Sequence, residues 1–138
     1  MPTTDRIKAI GRKESGQYIG LPYAVLRTRK YAQLSGWACK LIMDLFIQFN
    51  GKNNGDFSAA WSIMKQRGWR SKGTLSDALK ELLDAGIINK TRQGGKNHCS
   101  LYGMSWLAID YCPNSRTGKH KLDQPVTRVA LGTWRDDH

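Results

Sequence analysis

Few side chains in this sequence are spaced for bond-making chemistry. His98, Cys99, Cys112 and His120 are the ligand types that zinc prefers, but their spacing matches no common zinc module. The three cysteines, Cys39, Cys99 and Cys112, leave an odd thiol and form no CxxC pair, so they read as free and reduced. Asp44, Asp56, Asp77, Glu81, Asp84 and Asp110 are scattered rather than paired for acid–base work. There is no P-loop, nucleophile elbow or HExxH motif. The expectation is a protein that is not an enzyme, with no catalytic residue, metal or cofactor.

Two other groups of residues are suited to contact rather than catalysis. The first is Arg70, Ser71, Lys72, Gly73, Thr74, Ser76, Asp77 and Lys80. Lys can donate to guanine O6 and N7, Ser and Thr can serve as either partner, and Asp can accept from cytosine N4. The second is Arg92, Gln93, Lys96, Asn97 and His98, around the flexible pair Gly94-Gly95. Such side chains reach phosphate oxygens. A third, basic group, Arg6, Lys8, Arg12 and Lys13, lies in a polar N-terminal stretch and could enter a minor groove as an arm.

The charge agrees with a polyanionic partner. Among 138 residues there are 22 Lys and Arg against 11 Asp and Glu, a formal net charge of +11. The surplus is shared between residues 1–34 and 35–106, and the remainder is nearly neutral. Attraction and counterion release both favour nucleic acid under these conditions. No apolar run is long enough to span a bilayer, and the first residues are too polar for a secretory signal. A cytoplasmic protein with no membrane or small-molecule partner is expected.

The contact groups must be held by something, and the hydrophobic pattern says what. Residues 1–17 read as a mobile basic arm, 18–112 as one domain, and 113–138 as a tail that is extended or partly docked. Pro22 suits the start of a short helix. A long helix is expected over 35–49, with Ser35 as N-cap and Ala38, Leu41, Ile42, Leu45, Phe46 and Phe49 inward. Lys40, Asp44 and Gln48 then fall on its polar face. Residues 51–56 read as turn, and Phe57-Ser58 as a very short strand. A second helix covers 59–67, broken at Gly68, and Ser71 caps a third that reaches Ala85 before Gly86. Leu75, Ala78, Leu79 and Leu82 are its inner face. A β-hairpin follows, with its tip at Gln93–Asn97 around Gly94-Gly95. Trp37, Trp61, Trp69 and Trp106 lie in or beside apolar segments and read as core.

A helix pair joined by a short Gly-containing turn is the helix-turn-helix unit. The stretches LPYAVLRTRKYAQLSGWACKLIMDLFIQFNGKNNG and RGWRSKGTLSDALKELLDAGIINKTRQGG carry a closer likeness. Over residues 18–106 the chain resembles the winged-helix domains of phage and plasmid replication proteins and of small bacterial regulators. That resemblance implies an α+β, mainly α fold: a three-helix core with a C-terminal β-hairpin wing. It implies double-stranded DNA as partner, with Ser71, Lys72, Gly73, Thr74, Ser76, Asp77 and Lys80 reading bases, and with Arg70, the helix N-terminus at Ser71 and the Arg92–His98 wing contacting the backbone. A sequence-specific transcriptional regulator is expected, controlled through homodimer formation or a protein partner. Replication or maintenance of a mobile element is the alternative use of the fold. From a different class, the acidic end of the third helix suggests a protein-interaction module.

Overall fold

The longest apolar helix begins where a side chain can satisfy its first free amides. In the computed structural model, which describes residues 18–135, the Ser35 side chain accepts from Ala38 N at 3.1 Å. Two single helical turns precede it, α1 (Tyr23–Leu26) and α2 (Arg29–Ala32), the second capped by Thr28. Helix α3 (Gly36–Phe46) buries Ala38, Leu41, Ile42, Leu45 and Phe46. It stops three residues before its apolar pattern does. Gln48 N and Phe49 N bond back to Leu45 O and Phe46 O, three residues away, and so tighten the last turn.

The remaining elements follow the expected order. Strand β1 (Phe57–Ser58) leads to α4 (Trp61–Met64), which continues as a 3-10 turn, Lys65–Arg67. Gly68 then adopts φ +94°, a left-handed conformation that glycine takes without steric cost. Helix α5 (Lys72–Asp84) and strands β2 (Ile88–Arg92) and β3 (Leu101–Met104) complete the sequence. The three strands form one antiparallel sheet in the order β1-β3-β2. The fold is therefore α+β, with short helices and a small sheet.

The core lies between α3, α5 and the sheet. Leu41, Leu45, Phe57, Met64, Leu82, Ile87 and Met104 are fully or almost fully buried there. Leu75 and Ala78 join them, while Leu79 is half-buried at the edge. The tryptophans divide. Trp69 is buried, Trp61 and Trp106 are half-buried, and Trp37 is 47% exposed, with its ring against that of Trp69 at 5.1 Å. Trp37 is thus a lid on the core and not part of it.

Two polar residues are buried where the hydrophobic pattern gives no hint. Asp44, expected on the polar face of α3, is 3% exposed. It accepts from Lys40 Nζ at 2.8 Å, Arg67 Nε at 3.2 Å and Trp69 Nε1 at 2.8 Å. Asn54, expected in a solvated turn, is fully buried. Its side chain accepts from Met104 N at 2.8 Å and donates to the carbonyls of Met104, Leu107 and Ala108 at 3.0–3.1 Å. One amide thus stands in for a neighbouring strand, tying residues 51–56 to the chain leaving β3.

Leu101 of β3 packs with Ile109, Cys112 and Leu122 in a second small core. Burial, with Asp56 and Asp110 nearby, pushes the Cys112 thiol up to about 11, so it stays protonated and unreactive. Among the described residues no helix is long and apolar enough to cross a membrane.

Candidate nucleic-acid interface

The start of α5 is fixed from two sides. Ser71 Oγ accepts from Thr74 N at 3.2 Å, and Ser71 O accepts from Leu75 N at 3.1 Å. Immediately before it, the Asp44 carboxylate holds Arg67 and Trp69, clamping the turn onto α3. Burial opposes ionisation of Asp44. The hydrogen bonds from Lys40, Trp69 and Arg67 outweigh it and hold the carboxyl below its ordinary range.

On this fixed frame, Arg70, Ser71, Lys72, Gly73, Ser76, Asp77 and Lys80 are exposed, and Thr74 is half-buried. The structure therefore brings the first predicted group together around the N-terminal half of one helix. Lys72 Nζ lies over the half-buried Trp61 ring, 6.0 Å from its centroid, which limits where that ammonium can reach.

The acidic character of α5 has largely internal causes. Glu81 accepts from Ser35 N at 2.9 Å and Ser35 Oγ at 2.6 Å, so it caps α3 across the helix pair. Asp84 pairs with Lys80 at 2.7 Å, one turn before it, in an exposed bridge of little energetic weight. That pairing raises the Lys80 ammonium above its ordinary value. The acids at the C-terminal end of α5 thus have partners within the chain, whereas no ion pair or hydrogen bond engages the Asp77 side chain among the described residues.

The hairpin differs in detail from its sequence reading. Its turn is centred on Lys96 and Asn97, within the expected tip of residues 93–97, with Gly95 N donating to His98 O at 2.9 Å. Gly94 is needed for closeness: a Cβ there would lie 2.5 Å from Ser100 N. Lys96, Asn97 and His98 are exposed at the tip, as is Gln93 beside it. Arg92 is partly committed, since its Nε and Nη2 donate to Cys99 O at 3.2 and 2.8 Å. It clasps the two arms of the hairpin and offers less to an outside phosphate than sequence alone suggests. A bulge between Lys90 and Arg92 buries Thr91, whose hydroxyl donates to Gly55 O.

The chain after residue 112 braces this hairpin. Asp123 N and Gln124 N both donate to Thr91 O at 2.9 Å, and the Asp123 carboxylate accepts from Gln93 N at 2.8 Å. Farther along, Thr133 Oγ1 donates to Gly86 O at 2.7 Å and accepts from Asn89 Nδ2 at 2.8 Å. Asp123→Ala should remove about 1 kcal/mol of this support while leaving the core intact. If the hairpin contacts a ligand, affinity should fall about fivefold while Tm falls by about 3–5 °C. Equal affinities for the two proteins would detach the brace from binding.

The sequence alone missed three positioning residues, Asp44, Glu81 and Asp123. Only the Lys40–Asp44 spacing of four gave a signal, and it is equally common on solvated helices. Arg6, Lys8, Arg12 and Lys13 lie outside the described residues. Of the potential metal ligands, His98 sits on the hairpin. His120 instead uses both ring nitrogens on backbone groups, accepting from Cys112 N at 3.1 Å and meeting Gln124 O at 2.8 Å. No family model matches the chain, and neither the curated proteins nor the solved structures contain a significant match to it.

Proposed function

We propose that this chain binds double-stranded DNA in a sequence-specific manner as a winged helix, with α5 as recognition helix and the β2–β3 hairpin as wing. The observation that carries the reading is the surface of α5. Its N-terminal half exposes Arg70, Ser71, Lys72 and Ser76, while Glu81 and Asp84, farther along, are held by Ser35 and Lys80. In this docking mode the N-terminal residues of the recognition helix face base edges in the major groove. A 13-residue helix is about 20 Å long, enough to lie across that groove.

Two further features support it. The order of helix, strand, helix, turn, helix and hairpin, with the sheet arranged β1-β3-β2, suits a core that presents one helix and one hairpin. The hairpin tip carries Lys96, Asn97 and His98, donors matched to phosphate oxygens. A transcriptional regulator is the use we infer for such a binder. The engagement of Glu81 by Ser35 weakens the case for a protein-interaction module.

Selection from a random duplex library at physiological salt tests the proposal. Enrichment of a defined motif over several rounds is the expected result. A library that stays random would overturn sequence-specific binding.

A further inference from the structure

We infer that Asp77 is a specificity-determining residue, which accepts a hydrogen bond from the exocyclic amino group of a cytosine in the major groove. This rests on the duplex-binding reading and names one base of its target. Asp77 is exposed one helical turn after Gly73 and one before Lys80, on the ridge opposite the buried Leu75, Ala78 and Leu82. It shares the exposed face of α5 with Gly73, Lys80 and Asp84.

On the duplex-binding reading its charge calls for a partner on the DNA. A carboxylate facing DNA is repelled by phosphates, so its presence lowers affinity for every sequence. Glu81 and Asp84 have structural reasons to be acidic, as partners of Ser35 and Lys80. Asp77 has none among the described residues: it caps no helix, pairs with no Lys or Arg, and sits at mid-helix. Ionised, it can only accept hydrogen bonds. Guanine N7 and O6 and thymine O4 are acceptors and are rejected, whereas cytosine N4 donates and lacks a competing acceptor on its major-groove edge. Adenine offers N6–H beside the acceptor N7, a pattern better matched by an amide than by a carboxylate.

Gly73 makes close approach possible at the same ridge. A Cβ there would meet only Ser71 Oγ, at an unstrained 3.6 Å, and its φ is not positive. Neither backbone conformation nor internal packing demands glycine, which is a poor helix former. What its absent side chain provides is room outside the fold, four residues before Asp77.

The test compares motifs selected from a random duplex library by the full chain, by Asp77→Ala and by Asp77→Asn. The wild-type motif should contain an invariant C·G pair. Asp77→Ala should lose about tenfold of the preference at that pair alone and bind random duplex more tightly. Asp77→Asn should move the preference toward adenine, because an amide can donate to N7 and accept from N6. Far-ultraviolet circular dichroism and Tm confirm that both variants fold, as expected for an exposed position. A wild-type motif that both variants reproduce unchanged overturns the assignment and leaves duplex recognition standing. A wild-type preference for adenine at the altered position overturns the cytosine reading. Failure of the wild-type chain to select any motif overturns both proposals together.

Discussion

Asn54→Ala is expected to lower the free energy of unfolding by about 4 kcal/mol. The side chain is fully buried and makes four hydrogen bonds to the backbone around the exit of β3. Each intact bond contributes only about 1 kcal/mol net, because water competes for the same groups in the unfolded chain. Deletion costs more, since Met104 N and the three carbonyls lose a partner in a place where solvent enters poorly. Asn54 N and O also exchange hydrogen bonds with the Asp110 carboxylate and Asp110 N, at 2.8 and 3.0 Å. Collapse of the loop would therefore also loosen the chain that leads to the brace at Asp123. Urea denaturation of wild type and variant measures the effect. A loss below about 1 kcal/mol would mean that the backbone groups find other partners and that Asn54 is not the tie we describe.

The second large effect carries a pH signature. Asp44→Asn should cost about 2–3 kcal/mol at neutral pH, the range for hydrogen bonds to a charged group, with Lys40 and Arg67 left partly solvated. Because folding lowers the pKa of Asp44, the native state favours its ionised form. This contribution is fully present above the unfolded value near 3.9, and is lost as pH falls through the lower folded value. Wild type and variant should therefore differ most at pH 7 and converge in acid. Urea midpoints measured at neutral pH and near pH 2 check this. Curves that remain parallel over the whole range would remove the Asp44 charge from the account. The same variant should blunt duplex binding, because Asp44 holds Arg67 and Trp69 just ahead of α5.

The residues that declare themselves in sequence are those whose role is local. Ser35 and Ser71 cap the helices they precede, because a capping side chain bonds within three residues. The apolar period of α3 and α5 likewise reports burial directly, as Leu41, Leu45 and Leu82 show. The residues that stay hidden act across distance. Asn54 looks like turn chemistry because Asn is common in turns, yet its partners lie 50 and more positions away. Glu81 reads as a surface acid until Ser35, 46 positions earlier, is brought against it. The Thr91 bulge interrupts the alternation from which a strand face is read, and it has no marker of its own in the sequence. The candidate interface divides in the same way. Its exposed donors were legible as types in a row, whereas the clamp and the brace that position them were not.

Duplex binding itself is tested most directly by the salt dependence of affinity, measured by fluorescence anisotropy on the selected site and on a scrambled duplex. Phosphate contacts from Arg70 and Lys96 alone give a log–log slope of about −1.8 and a loss of roughly twelvefold between 50 and 200 mM salt. Lys96→Ala should weaken both duplexes alike and reduce the slope by about one. Thr74→Ala should leave the slope unchanged and cost roughly 1–3 kcal/mol on the selected site, with little loss on the scrambled one. An affinity that is flat in salt, and indifferent to both substitutions, would contradict DNA recognition by α5 and its hairpin.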